Sequence, residues 1–251
     1  MTKKIWITGA SSGIGKTLAI KFANQGWQVA ASARRENLLK DLNRQNPNIY
    51  SFPLDVRNEN ESKNTFQNII KKFQTIDISV FCTGMHDPDA EKKLSSEKIR
   101  EIMETNFFGT LNCIMAVNTY FRERKNGHIA IVSSVAGYRG LPAASGYCAS
   151  KSALISLAES LYFDFKRYNV KVSVINPGFI KTPMTDKNKF PMPMIKSAEF
   201  AAEKMFTGLT KKNVFEIHFP LAFTIIMKLL KIMPNWLYFL LVKKGMKTIK
   251  Y

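Results

Sequence analysis

Residues 7–17 read ITGASSGIGKT, and the parsing of this stretch decides the fold. An apolar run at residues 5–8 ends at Gly9. Ile14, Leu18, Ala19 and Phe22 then recur at helical spacing up to a stop at Gly26. A glycine-rich turn between a strand and a helix is a phosphate cradle, because the helix N-terminus presents unpaired N–H groups. Two parsings compete. Gly15-Lys16-Thr17 is the ending of an ATP-binding P-loop, which requires G-x-x-x-x-G-K-[ST]. The first glycine of that motif would stand at position 10, which is Ala10. Gly9, Gly13 and Gly15 instead meet the three needs of a dinucleotide loop: a tight turn, close approach to a pyrophosphate, and close helix packing. Their spacing, G-x-x-x-G-x-G, departs from the common G-x-G-x-x-G.

Working outward, apolar runs at 29–33, 49–54, 76–82, 129–133, 170–175 and 214–219 predict further strands. Helical periodicity at Leu38, Leu39 and Leu42, at 66–73, 99–121, 147–168 and 198–209 fills the gaps between them. Strands that are apolar throughout, alternating with helices, imply a parallel sheet covered on both faces. Right-handed crossovers make it a doubly wound α/β fold of seven parallel strands. Residues 183–197, with Met184, Pro191, Met192, Pro193 and Met194, break the pattern. They read either as a mobile lid over a substrate or as a packed loop.

Composition bounds the function. The 251 residues are 45% hydrophobic, which excludes a disordered chain and provides for a large core. Lys and Arg number 37 against 19 Asp and Glu, a net charge of +18 that attracts anions. Most of these lysines read as solvated surface, and without a recognised module the charge gives no nucleic-acid role. Cys82, Cys113 and Cys148 are odd in number and widely spaced. They suit neither a disulfide framework nor a zinc site, and fit a reducing cytoplasm. The N-terminus runs into the first strand without an apolar leader, so the expected location is cytoplasmic.

Thr8-Gly9-Ala10-Ser11-Ser12-Gly13-Ile14-Gly15 resembles the cofactor motif of the short-chain dehydrogenase/reductase family. The resemblance extends in order over residues 3–219. Asp55-Val56 is similar to the family's adenine-contacting pair. Phe81-Cys82-Thr83-Gly84 stands where the family has Asn-Asn-Ala-Gly, and only Gly84 matches. Asn106, in Asn106-Phe107-Phe108-Gly109, resembles the family's helix asparagine. Ser134 resembles its catalytic serine, Tyr147-Cys148-Ala149-Ser150-Lys151 its Tyr-x-x-x-Lys, and Pro177-Gly178, followed by Ile180 and Thr182, its Pro-Gly segment.

The resemblance implies a Rossmann fold over residues 1–219 with Asn106, Ser134, Tyr147 and Lys151 as catalytic residues. Gly9, Ser11, Ser12, Gly13, Ile14, Gly15, Asp55, Val56 and Gly84 would hold the cofactor, together with Tyr147, Lys151, Pro177, Gly178, Ile180 and Thr182. Lys151 would hold the nicotinamide ribose, Ser134 the reacting oxygen, and Asn106 a water relay behind Lys151. Tyr147 and Lys151, four apart on a helix, share a face. A nearby ammonium is expected to lower the phenol from its usual pKa of about 10 and make it a usable proton carrier.

An acid at the end of the second strand would bind the ribose hydroxyls of NAD. The sequence there is Ala30-Ala31-Ser32-Ala33-Arg34-Arg35, and Arg34, with Arg35, suits a 2′-phosphate instead. Some family members carry a basic residue where this chain has Ser12, so Arg34 takes most of that role. The expected cofactor is therefore NADP(H), and the expected reaction is hydride transfer to a carbonyl/alcohol substrate such as a lipophilic ketone or aldehyde. The alternative is a non-catalytic NADP(H)-binding sensor or scaffold, which the intact Ser134, Tyr147 and Lys151 disfavour. The resemblance also implies a homo-oligomer, formed through the Asn106 and Tyr147 helices.

Residues 220–251 lie outside the family pattern. They form an apolar, basic extension split by Pro234, with Phe223, Trp236, Tyr238 and Phe239 and only basic charges from Lys228 to Lys250. No run reaches the length of about 18 apolar residues expected of a spanning helix. Two short helices lying on an anionic membrane surface, at the inner face of a membrane, fit this composition. The other reading is a tail packed on its own domain or on a partner subunit.

Overall fold

The computed structural model describes residues 2–188 and 190–247. In chain order the strands are β1 Lys4–Thr8, β2 Gln28–Ser32, β3 Ile49–Ser51, β4 Ile78–Phe81, β5 Gly127–Val132, β6 Val170–Pro177 and β7 Glu216–Phe219. The helices are α1 Gly13–Asn24, α2 Glu36–Gln45, α3 Glu59–Phe73, α4 Pro88–Lys92, α5 Ser96–Met103, α6 Gly109–Arg124, α7 Ser145–Lys166, α8 Ala198–Lys211, α9 Leu221–Ile232 and α10 Asn235–Lys247. All strand pairs are parallel, in the order β3-β2-β1-β4-β5-β6-β7. This is the doubly wound α/β sheet that the sequence predicts. The order reverses between β1 and β4, and ligands bind outside the carboxyl ends of the strands at such a switch point.

Alternation along β1 builds the two halves of the core. Ile5 and Ile7 point to the layer of α1, α2 and α8, where they join Leu18, Phe22, Leu39 and Met205. Trp6 points the other way, among Phe66, Ile69, Val117 and Leu154 from α3, α6 and α7. All three β1 side chains are fully buried. The Trp6 indole N–H donates to Ser32 Oγ at 2.9 Å, so the one polar atom taken inside is satisfied.

The structure departs from the sequence reading at the helix predicted over 99–121. It is interrupted by a π-helical turn, Glu104–Phe108, between α5 and α6. The Gly109 N–H bonds the Glu104 carbonyl, five residues back, instead of four. The reason is local packing. Gly109 meets Val56 so closely that a Cβ there would stand 2.5 Å from Val56 Cγ2, and the Asn106 side chain turns inward to bind another loop. Such single π turns often mark functional sites. The short α4 was not read from the sequence, and β3 ends at Ser51, earlier than predicted, although the Phe52 and Leu54 N–H groups still donate to the Ala31 and Ala33 carbonyls at 2.9 and 3.1 Å.

The 183–197 loop is pinned at its base. Ile180 and Lys196 form an isolated parallel bridge, with the Lys181 N–H on the Lys196 carbonyl at 2.8 Å. Lys189 within the loop lies outside the described residues, as do Met1 and Lys250. Of the tail, α9 and α10 bury Phe223, Thr224, Met227 and Tyr238 against the α/β body. Arg139 donates to the carbonyls of Leu230 and Met233, both at 2.6 Å, and its guanidinium stacks 4.0 Å from the Tyr238 ring. Glu216 accepts from Lys228 on α9 while also holding Tyr138 and Asn176. The opposite face is uncovered: Leu221, Ile225, Leu229, Ile232, Trp236 and Phe239 are all exposed. No helix among the described residues is long and apolar enough to cross a membrane.

Candidate active site

A cleft of about 440 Å³ opens at the carboxyl ends of β1 and β4. It is lined by every residue the sequence reading assigned to the cofactor: the loop 9–15, Arg34, Arg35, Asp55, Val56, Gly84, Tyr147, Lys151, Pro177, Gly178, Ile180 and Thr182. Ser134 lines it too, and Asn106 stands immediately behind it.

The glycine loop is a cradle that side chains would fill. Gly9 has φ +68°, and a Cβ there would stand 2.7 Å from the Cys82 carbonyl oxygen. A Cβ at Gly15 would stand 2.4 Å from the Gly9 oxygen. The loop is thus folded on itself with α1 rising directly from it, which aims free N–H groups into the cleft. Arg35 closes over the same loop. Its guanidinium donates to Ser11 Oγ at 2.8 Å and to Ser12 Oγ at 2.7 Å. The sequence reading gave Arg35 only a supporting place, and its tether to the two loop serines is a long-range contact absent from the local pattern. Arg34 lines the cleft near Asp55, whose carboxyl is held below its usual pKa first by Arg57, with Arg34 contributing. These observations fit a dinucleotide bearing phosphates: a side-chain-free backbone cradle flanked by two guanidinium groups.

The other end of the cleft holds the titratable cluster. Lys151 is buried, and its ammonium donates to the Val132 carbonyl at 3.1 Å. Burial pushes its pKa down to about 8, with Cys82 opposing that shift. Tyr147 lies above it, the Lys151 Nζ standing 5.6 Å from the ring centre. Ser134 is hydrogen-bonded to the Tyr147 phenol. Ser134 Oγ also accepts from the Ala136 N–H at 3.1 Å, which fixes the hydroxyl.

The expected lowering of the Tyr147 phenol is not what the structure gives. Burial pushes Tyr147 up to about 12, and the Ser134 hydrogen bond only partly offsets this. The physical reason is that Tyr147 and Lys151 are desolvated together, so burial opposes the charged form of each. At neutral pH Tyr147 is a neutral phenol, a proton donor rather than a base.

The Asn106 side chain is fully engaged with neighbouring protein groups. Its Oδ1 accepts from the Met85 N–H at 2.7 Å, while its Nδ2 donates to the Met85 carbonyl and to Ser150 Oγ, both at 3.0 Å. Ser150 Oγ in turn donates to the Tyr147 carbonyl at 2.8 Å. The side chain therefore clamps the loop after β4 and supports the first turn of α7. Pro177 and Gly178 close the far wall, where Phe223 of α9 packs so tightly that a Cβ on Gly178 would meet it at 2.8 Å. Met85 lines the cleft without having been singled out from the sequence, as do Cys82 and Thr83 of the departing Asn-Asn-Ala-Gly position and Met184 of the lid-or-loop stretch, none of which was assigned a cofactor role. Only the position of Gly84 in the sequence pointed to that loop.

Burying Lys151 has a stability consequence. Its folded pKa of about 8 lies below the ordinary lysine value of 10.5. The folded state therefore binds fewer protons than the unfolded chain between those values, and stability rises with pH across that window. Below about pH 8 the cost is fully present. Lys151→Met is expected to stabilise the protein by about 2 kcal/mol at pH 7, the shift being partly offset by the orphaned Val132 carbonyl. The gain should vanish by pH 10.5. Urea denaturation at both pH values tests this, and a variant less stable than the parent at pH 7 contradicts it.

Comparison with known proteins agrees with this geometry. A family profile described as short chain dehydrogenase matches residues 3–191. An uncharacterized oxidoreductase of Myxococcus xanthus is 34% identical over 236 residues, covering 92% of this chain and 93% of that protein. A 3-oxoacyl-[acyl-carrier-protein] reductase of Thermotoga maritima is 31% identical over 185 residues, 72% of this chain and 75% of its own. Among solved structures, ElxO with NADP bound is 25% identical with a TM-score of 0.77, covering 87% of this chain and 98% of its own.

Proposed function

The chain belongs to the short-chain dehydrogenase family of oxidoreductases, and we propose that it is an NADP(H)-dependent reductase of a lipophilic ketone or aldehyde. The observation that carries this reading is the shared cleft. A phosphate cradle with Arg34 and Arg35 occupies one end, and the Ser134–Tyr147–Lys151 cluster the other. When bound, NADPH would supply the hydride. The chain's own residues do the rest. Ser134, fixed by the Ala136 N–H, orients the carbonyl oxygen. Tyr147, kept neutral by burial, donates its phenolic proton to that oxygen as it gains charge. Lys151, still cationic at neutral pH, stabilises the phenolate left behind and holds the cofactor's ribose. Arg34 would accommodate the 2′-phosphate, while Arg35, tied to Ser11 and Ser12, would hold the glycine loop.

The lipophilic substrate class is inferred from the tail. The uncovered face of α9 and α10 carries Leu221, Ile225, Leu229, Ile232, Trp236 and Phe239, and no acidic residue follows Glu216 in the sequence. An apolar face with a wholly basic surround suits the surface of an anionic membrane. Phe223, on the buried side of α9, touches the cofactor wall at Gly178, so such docking would place the cleft near dissolved substrate. The test is an NADPH-oxidation series over ketones and aldehydes of rising chain length, run with anionic or zwitterionic vesicles. Activity is expected to rise with chain length. Trp236 is 70% exposed while Trp6 and Trp27 are buried, so a blue shift of tryptophan emission with anionic vesicles alone reports docking of the tail. Activity confined to short polar carbonyls contradicts the substrate class, and unchanged emission contradicts the membrane reading.

A further inference from the structure

A buried acid–histidine pair, Glu91 and His86, faces the reacting tyrosine from outside the cluster described above. Neither residue lines the cleft, and neither belongs to the motifs read from the sequence. Both sit on the short loop-and-helix segment after β4. Asp87 caps α4 by accepting from the Ala90 N–H at 3.2 Å, and Pro88 occupies a first-turn position. This one-turn helix carries the Glu91 side chain, fully buried, to the start of α7.

Helix α7 needs what Glu91 offers. The first four N–H groups of any helix lack internal partners. At α7 the preceding residue is Ala144, which has no side-chain acceptor. Glu91 Oε2 accepts from the Tyr147 N–H at 3.1 Å, and the Gly146 N–H bonds the same carboxyl group. A residue 56 positions away in sequence thus caps the helix that presents the tyrosine.

His86 holds the ring. Its imidazole centre lies 4.5 Å from that of Tyr147, tilted by 36°. The His86 ring bonds the Ala143 backbone, and its Nε2 has no partner of its own, so that bond belongs to Nδ1. Nε2 stands 3.3 Å from Glu91 Oε1, and neither atom has a hydrogen-bond partner. Burial pushes His86 down to about 4 and pushes Glu91 upward, against the two backbone N–H groups its carboxyl accepts from. The backbone at His86 is itself fixed, because Asn106 holds both polar groups of the adjacent Met85.

We propose that Glu91 and His86 are positioning residues for Tyr147, with Glu91 fixing its backbone at the start of α7 and His86 fixing the tilt of its ring. The inference rests on Tyr147 being the proton donor. Positioning errors of this kind cost rate rather than cofactor affinity, since a displacement of about 1 Å can cost up to about a hundredfold.

Four variants test it, with kcat, KM, NADPH Kd and the Tyr147→Phe control measured in parallel. Glu91→Leu is expected to lower kcat by about tenfold or more while leaving NADPH Kd within about threefold. Glu91→Gln is expected to keep kcat within about threefold, because its amide oxygen still accepts from the Tyr147 N–H. His86→Ala is expected to lower kcat by about fivefold or more, and His86→Phe to retain most of it, because a ring still packs on Tyr147. The His86 pair carries the same contrast should the leucine variant not fold. Wild-type kcat in both Glu91→Leu and His86→Ala, or Glu91→Gln as damaging as Glu91→Leu, overturns the proposal. If Tyr147→Phe itself leaves kcat unchanged, the proton-donor reading fails instead.

Discussion

Replacing Tyr147 by Phe is expected to lower kcat for carbonyl reduction by about a thousandfold, within the range usual for a general acid, while NADPH affinity changes by less than about threefold. Removing the hydroxyl takes away the one proton the site is built to give. Ser134 cannot substitute, because its hydroxyl oxygen accepts from the Ala136 N–H and its proton is directed to the Pro177 carbonyl, 3.4 Å away. Lys151 cannot either, since its ammonium is turned to the Val132 carbonyl below the tyrosine. The ring itself remains, so its packing on His86 is kept. A fold-change in Kd as large as that in kcat would place Tyr147 in binding rather than in proton transfer. Turnover unchanged across every accepted carbonyl would remove it from the mechanism.

The second large effect concerns the cofactor's distinguishing phosphate. Arg34→Asp is expected to weaken NADPH by about thirtyfold or more, and to leave NADH within about threefold. The estimate reflects one lost charge-assisted contact and one new repulsion. Arg35→Ala should behave differently. Arg35 is tied to Ser11 and Ser12, and so would hold the shape of the glycine loop that cradles the pyrophosphate common to both dinucleotides. It is expected to weaken NADPH and NADH together, by about five- to tenfold. Titration of both cofactors against both variants separates the roles. Equal losses of NADPH and NADH in Arg34→Asp would refute its part in selecting the 2′-phosphate.

Much of this was legible in the residues. Apolar strands alternating with amphipathic helices specified the parallel sheet, because strands buried on both faces leave no polar side. The glycine loop was legible because glycine is required wherever a Cβ would collide, as at Gly9 against Cys82 and at Gly15 against Gly9 itself. Tyr147 and Lys151 were legible as a pair because helical spacing fixes their shared face.

The features that escaped depend on chain segments far apart in sequence. The π turn at Glu104–Phe108 arises where Gly109 abuts Val56 and Asn106 reaches Met85, contacts that no local periodicity encodes. Arg35 on Ser11 and Ser12, and Glu91 on Tyr147, are of the same kind. The direction of the Tyr147 shift escaped for a related reason. Proximity of an ammonium follows from spacing, but the burial that outweighs it is a property of the assembled core. Of the readings of the tail, packing on its own domain is the one seen. One face packs on the domain through Phe223 and Tyr238, and the other stays bare.

The central claim is that this cleft moves hydride from NADPH to a carbonyl with Tyr147 giving the proton. The most direct measurement uses NADPH deuterated at the transferring position of nicotinamide C4, with an accepted ketone or aldehyde. One deuterium is predicted on the carbinol carbon of each alcohol formed, one alcohol for each NADPH consumed, with labelled alcohol from the Tyr147→Phe protein formed about a thousandfold more slowly. An enzyme that binds NADPH but yields no labelled alcohol from any carbonyl in the series would contradict the account and leave a cofactor-binding sensor in its place.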